Sequence, residues 1–180
     1  MQIMYPVRGV VSSVLTRPAD TNAYAQNDLI ASSTTAGSII VPSFTIPRDQ
    51  DTKIVQVRRG ILYTNLTTGF TTIQGHVDLW SKAPTFTNGD NGAYAVATGW
   101  ANWVGHMTTE VSSAYSASGD GAALSTVCGN ANTDDYLREH FLVQRSPGDK
   151  LYWTLREIDS TGFTPISGQT FTLALELDQM

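Results

Sequence analysis

Phe171, Leu173, Leu175 and Leu177 alternate with Thr172, Ala174, Glu176 and Asp178. A period of two puts every second side chain on one face, so this stretch predicts a strand with a core on one side and water near the other. Leu151, Trp153 and Leu155 alternate in the same way with Tyr152, Thr154 and Arg156. Thr164-Pro165-Ile166-Ser167-Gly168-Gln169 reads as the turn region between the two runs. The chain closes like a β-sandwich.

Upstream, short apolar runs are separated by turn chemistry. Val10 to Leu15 leads into Thr16 to Asp28, where Pro18 and an Asp/Asn-rich context predict a loop anchored by Tyr24, before Leu29-Ile30 opens the next buried stretch. Ser38 to Ile46 is a candidate strand, with Pro42 marking an edge or a bulge. Lys53 to Tyr63 is strand-like, and Asn65 to Gly69 is a turn. Ile73, Gly75, Val77 and Leu79 share one face of the following strand, while Trp80 falls on the other, either meeting a second layer or supporting the loop that starts at Ser81-Lys82-Ala83-Pro84. Thr87 to Tyr94 reads as a loop held by Tyr94.

Between Thr98 and Gly129 the pattern is weaker. Trp100, Trp103, Val104, Met107 and Val111 match one helical face, but Gly99, Gly105 and the Thr-rich flank argue for irregular β structure. Ser112 to Gly121 reads as an exposed hairpin loop and Asp134 to His140 as a single helical turn. Phe141 to Arg145 returns to strand, and Ser146 to Asp149 turns into the Leu151 strand. Many short strands with turn punctuation favour a sandwich over βαβ units. The expectation is an all-β, single-domain antiparallel β-sandwich, jelly-roll-like and with long loops, over residues 10–180, preceded by an N-terminal arm at residues 1–9. Jelly rolls and immunoglobulin-like sandwiches share these local periodicities, so strand order stays open.

At 180 residues and 41% apolar content, the chain can bury a sizeable core as one domain. Eleven Lys plus Arg against a net charge of −5 leave no broad cationic surface, which speaks against nucleic acid as a partner. Lys53, Arg58 and Arg59 are interleaved with Ile54, Val55 and Val57, and solvent-facing strand positions account for them as well as a partner site does. A single cysteine, Cys128, excludes an intrachain disulfide and a cysteine-cluster metal site, and reads as a small packed hydrophobe. The N-terminus lacks a basic-then-apolar leader and no apolar run approaches the roughly 20 residues of a membrane helix. The expectation is synthesis in the cytoplasm and no membrane partner.

Catalytic patterns are sparse. His76, His106 and His140 have no metal-ligand spacing, and chance placement or hydrogen bonding within the fold accounts for each. Asp28, Asp90, Asp120, Asp134 and Asp135 leave a glycan hydrolase in view, since such enzymes flank the bond with two carboxylates in an aromatic cleft. Asp28, Asp90 and Asp120 nevertheless lie beside Asn or Gly, where the ordinary role is to cap a turn. Asn88-Gly89-Asp90-Asn91-Gly92 lacks the spaced ligands and final Glu of a calcium loop. Phosphate-loop, dinucleotide and nucleophile-elbow motifs are missing from the sequence, so no cofactor and no metal is expected.

Four blocks carry a resemblance: Leu15 to Ile30, Val77 to Pro84, Asp90 to Tyr94, and Phe163-Thr164-Pro165 through Gly168 to Leu173. Together they resemble a family of small β-rich proteins encoded in the structural modules of tailed bacteriophages. The Gly/Ser-rich stretch after Trp103, with Cys128 in its continuation, departs from that pattern. The resemblance implies a virion component without enzymatic activity, made in the host cytoplasm and placed on the outer capsid surface. There it would act as a decoration or cement protein that bridges major capsid protein subunits, as a homo-oligomer such as a trimer. Interface hot spots favour desolvated Trp, Tyr and Arg, which nominates Arg17, Tyr24, Trp80, Tyr94, Trp100 and Trp103, with Arg17 expected to be the more exposed; for each aromatic, packing in the core or anchoring a loop is the stronger competing reading. Receptor or glycan binding at a phage surface or tail would use the same aromatics.

Overall fold

The computed structural model describes residues 7–46, 54–65, 73–111, 123–127, 141–144 and 150–179. Two five-stranded antiparallel sheets face each other. In the first, β1 (Val7–Thr16) pairs with β12 (Thr170–Gln179), β12 with β4 (Ile54–Thr64), and β4 with both β9 (Ala123–Val127) and β10 (Phe141–Gln144) along successive parts of its length. In the second, β11 (Lys150–Glu157) carries β2 (Leu29–Ile30) and β3 (Ser43–Thr45) on one side and β5 (Ile73–Trp80) on the other, and β5 pairs with β8 (Trp103–Val111). A small hairpin, β6 (Thr85–Phe86) with β7 (Val96–Thr98), stands apart from both sheets.

The pairing is nested. The first strand meets the last, β2 and β3 meet β11, β4 meets β9 and β10, and β5 meets β8. A chain doubled back on itself in this order, then rolled so that β12 also touches β4 and β11 also touches β5, is wound as a jelly roll. This settles the strand order that the periodicities left open.

The core lies where the period-two faces meet. Leu173, Leu175 and Leu177 from β12 and Leu62 from β4 pack with Val77 and Leu79 from β5, Met107 from β8, and Leu151, Trp153 and Leu155 from β11. Gly60 of β4 is opposite Leu175, and a Cβ there would fall 2.4 Å from Met107 Sδ. The missing side chain lets Met107 reach across from the other sheet.

Three expectations change. The stretch after Thr98 is a 3-10 turn at Trp100–Asn102 followed by the regular strand β8, because pairing along β5 outweighs the local Gly and Thr content. Ser38 to Ile46 contains only the short β3, which begins after Pro42, since proline cannot donate to a ladder. The region read as an arm includes Val7 to Gly9, which pair in β1 with Gln179, Asp178 and Leu177. Residues 1–6, the Ser112 to Gly121 loop, Cys128, the Asp134 to His140 turn and the Ser146 to Asp149 turn lie outside the described residues. No helix among the described residues is long and apolar enough to cross a membrane.

Candidate functional site

Alternation along β5 sends Gly75, Val77 and Leu79 inward and His76, Asp78 and Trp80 to the outer face of the second sheet. Cross-strand register then assembles rows: Arg156, His76 and Thr108; Thr154, Asp78 and His106; Tyr152, Trp80 and Trp103. A register shift between Leu79 and Trp80 brings Trp103 level with Trp80. Residues drawn from three strands thereby form one polar and aromatic patch.

The β6–β7 segment and the 3-10 turn close over part of it. Trp80 is fully buried, its ring 5.5 Å from that of Trp100, and Ser81 N–H donates to Asn102 carbonyl at 2.7 Å. Trp80 therefore supports the loop, one of its two expected roles. Its Nε1 donates to Thr154 Oγ1 at 2.9 Å, and Tyr94 Oη lies 2.9 Å from that same hydroxyl. Tyr94 donates to Asp78 Oδ2 and Trp103 Nε1 donates to Asp78 Oδ1, both at 2.9 Å. With the Tyr94 proton directed to Asp78, the Thr154 hydroxyl donates to Tyr94, so one directional chain runs from Trp80 to the Asp78 carboxylate. Tyr94 holds its loop as expected, and Phe86 packs edge-on to it at 5.4 Å.

His76 and His106, far apart in sequence, have ring centroids 4.2 Å apart. Arg156 donates to His76 Nδ1 from Nε at 3.0 Å and lies 2.7 Å from it through Nη2, while Nη1 reaches Asn27 Oδ1 at 3.4 Å. An imidazole nitrogen that accepts from guanidinium is unprotonated. Burial, reinforced by Arg156 and His106 and opposed by Asp78, pushes His76 down to about 4. Burial also lowers His106, with Arg156 acting in the same direction and Asp78 against it. Both imidazoles are neutral at pH 7, and His106 Nε2 is a buried nitrogen without a hydrogen-bond partner. Burial and the nearby Asp78 charge raise Tyr94, keeping it a phenol.

The exposed part of this face is aromatic. Trp100 is 59% and Trp103 40% exposed, and Trp103 stacks over His106 at 5.9 Å. Among the six nominated residues, these two present large apolar surface to solvent.

Arg17 does the opposite of what its sequence context suggests. It is buried, its guanidinium lies over the Tyr24 ring at 4.7 Å, and its Nη2 pairs with Asp90 Oδ2 at 2.9 Å. Nε donates to the Tyr24 hydroxyl, which in turn donates to Asp90 Oδ1 at 2.6 Å; Ala31 N–H donates to the same oxygen at 2.7 Å. Asp90 is thus a buried ion-pair partner and not simply the turn cap expected of it. Asp28 does cap a turn, accepting from Ala25 N–H at 2.7 Å. Burial opposes the charge of Arg17, but Tyr24 and Asp90 together raise it; burial likewise raises Asp90, against the lowering effects of Ala31 N–H, the Tyr24 hydroxyl and Arg17. Tyr24 also stacks on Phe163 at 4.9 Å, which makes it the loop anchor that the sequence pointed to.

The structure therefore gathers Trp80, Tyr94, Trp100 and Trp103 on one face and places Arg17 and Tyr24 in a separate internal network. Asp78, Thr154 and Arg156 escaped sequence reasoning, and His76 and His106 were read only singly, because only the β5–β8 and β5–β11 registers bring the five together. Among the described residues no group of three or more His, Cys, Asp or Glu side chains could hold a metal ion. His140, Asp120, Asp134 and Asp135 lie outside the described residues.

No family model and no curated protein matches the chain. Solved structures with a distant similarity include that of infectious bursal disease virus, Gt strain, at 11% identity over 97% of this chain and 42% of that one, with a TM-score of 0.23. T=1 particles derived from infectious bursal virus align at 11% identity over 96% of this chain and 40% of theirs, TM-score 0.20. The infectious bursal disease virus VP2 subviral particle aligns at 10% identity over 97% and 42%, TM-score 0.16. The chain spans less than half the length of each, and superpositions this loose carry no argument about function.

Proposed function

We propose that this chain is a structural protein of a virion, acting as a capsid decoration or cement protein that binds the outer surface of an assembled head and bridges major capsid protein subunits. The observation that carries this reading is the Trp100/Trp103 face: two exposed indoles, Trp103 at the start of β8 and Trp100 in the 3-10 turn before it, with their bases held by Asp78 and Trp80. Large aromatic side chains that are held in place lose little entropy on docking and make effective interface anchors. The jelly-roll winding is one that viral capsid domains use, and so do lectins and cupins, so the winding supports the reading without carrying it. Blocks resembling tailed-phage structural proteins, together with an acidic composition, agree with it.

Cementing follows from simple energetics. A β body that touches two neighbouring subunits makes their separation cost two interfaces. Each contact also holds the other near its site at high effective concentration. In this reading the protein is not an enzyme, and His76 has a structural role because Arg156 occupies its Nδ1 lone pair.

A second reading, glycan or receptor binding at a phage surface or tail, is favoured by the exposed ring of Trp103 stacked over His106. Aromatic faces with adjacent polar groups suit sugar rings. The deciding experiment mixes purified protein with assembled heads that lack it, using unassembled major capsid protein as control, and follows head stability under heat and low ionic strength. Preferential binding to the assembled head with increased stability, lost in a Trp100→Ala/Trp103→Ala variant, supports cementing. No binding to heads, together with saturable binding to host-surface glycan, supports the second reading.

A further inference from the structure

β1 forms one edge of the first sheet, and among the described residues no strand pairs on its outer side. It is a ten-residue strand, long for an edge. Edge strands are ordinarily protected by charge, proline or a bulge; β1 carries one charge, Arg8 near its start, while Val10-Val11-Ser12-Ser13-Val14-Leu15-Thr16 carries no charge and no proline. Its pairing with β12 runs without a register shift from Val7 to Thr16. On the outward face Val10 is 72% and Val14 55% exposed. Beside the C-terminal half of the edge lies a groove of about 200 Å3, lined by Val14, Leu15, Thr16, Ser32, Ile40 and Pro42. Ile40, on its rim, is 77% exposed.

We propose that the open edge of β1 pairs antiparallel with β1 of a second copy of this chain, about a two-fold axis at Ser12. The outward positions Val10, Ser12 and Val14 read the same from either end. An antiparallel copy centred on Ser12 therefore sets Val14 against Val10 of the partner subunit, with Ser12 against Ser12 of the partner subunit. The two valine pairs are β-branched cross-strand pairs of the kind that stabilise sheets. Val10 of the partner subunit then lies beside the groove under Ile40. A slip of one residue exposes the inner face, and a slip of two replaces the valine pairs with valine against serine, so the register is specified.

Charge and area set the strength. Between Val10 and Thr16 no charged side chain meets another, and the net −5 of each copy acts only at longer range, where salt screens it. Association therefore strengthens as salt rises. A strand edge about 30 Å long covers less than the roughly 800 Å2 per partner of a standard interface. The dimer is weak and concentration-dependent. This contact is independent of what the Trp100/Trp103 face binds.

The test uses the full chain with Cys128→Ser as background. Directly opposed antiparallel Cα atoms lie about 4.5–5.5 Å apart, within disulfide range. Ser12→Cys should thus oxidise to a covalent dimer. Val14→Cys alone should not, being roughly 13 Å from its own copy, whereas Val10→Cys with Val14→Cys should. In sedimentation, wild type should shift from monomer to dimer over the micromolar range, and Val14→Lys should reduce dimerisation at least tenfold with an unchanged circular dichroism spectrum. A monomer up to millimolar concentration, a trimer, or crosslinking stronger at Val14→Cys than at Ser12→Cys overturns the proposal.

Discussion

Arg17 Nη2 and Asp90 Oδ2 lie 2.9 Å apart, and neither side chain is exposed to solvent. The pair joins the residue that follows β1 to the loop between β6 and β7, and Asp90 also receives Ala31 N–H from beyond β2. Three loops at one end of the sandwich thus share a single carboxylate. Arg17 Nη2 also pairs with the part-exposed Asp20 Oδ1 at 3.1 Å, so loss of Asp90 leaves the buried guanidinium partly compensated and the Ala31 N–H and Tyr24 hydroxyl without their acceptor. Asp90→Ala should lower unfolding free energy by about 1–3 kcal/mol. The Arg17→Met/Asp90→Ala double variant should lose markedly less than the sum of the single changes. Urea denaturation of all four proteins provides the cycle.

Gly162 and Gly168 both have positive φ, at 62° and 64°. A Cβ at Gly162 would fall 2.0 Å from the Tyr24 carbonyl oxygen, while at Gly168 nothing lies within 4 Å. Gly168→Ala should cost only the left-handed backbone penalty, about 1 kcal/mol. Gly162→Ala should cost several times as much, because Tyr24 and the loop around it must move. Thermal denaturation of the two variants separates dihedral strain from steric overlap.

Glu157 is fully buried at the end of β11; its Oε1 accepts from Asp159 N–H at 2.7 Å and its Oε2 has no partner. Burial, with the nearby Asp159 charge, pushes it up to about 7. The folded state binds this proton more tightly than the unfolded state, so the contribution to stability is full below about 4.5 and is lost as pH rises through about 7. Glu157→Gln, an isostere of the protonated acid, should match wild type near pH 5 and exceed it at pH 8 by about 1–3 kcal/mol. Denaturant midpoints at the two pH values decide it.

His76 works in the opposite sense. Its folded pKa of about 4 lies below its ordinary 6.5, so its contribution is present above 6.5 and lost as pH falls towards 4. The two slopes overlap and offset each other, giving wild type a flatter profile than either variant. His76→Asn, which keeps an acceptor for Arg156, should remove the acid-side loss and leave stability declining steadily from pH 4 to pH 7.

The tryptophans divide into two classes. Trp80 and Trp153 are fully buried, while Trp100 and Trp103 are not. Iodide should quench only part of the fluorescence. A Trp100→Phe/Trp103→Phe variant should retain blue-shifted emission that iodide hardly reaches.

Strands whose side chains alternate cleanly were legible: β12 and β11 bury Leu173, Leu175, Leu177, Leu151 and Leu155 as their period demands. Tyr24 and Tyr94 were legible as loop anchors because bulky aromatics among Gly, Asn and Asp have few other uses. Trp103 to Val111 was harder, since its apolar spacing fits a helix and a strand alike, and only pairing with β5 decides between them. Arg17 misled because a lone arginine beside proline reads as surface, while its counter-charge Asp90 lies far along the chain. The His76/His106 patch carried no local signal at all: it is a product of register, and register depends on contacts between distant strands.

The nested pairing also sets a timetable. Val14 finds its ladder partner in Thr172, near the far end of the sequence, whereas β5 and β8 can meet early. During synthesis the inner hairpin has its partner in hand while β1 waits, its apolar face uncovered, until β12 has left the ribosome.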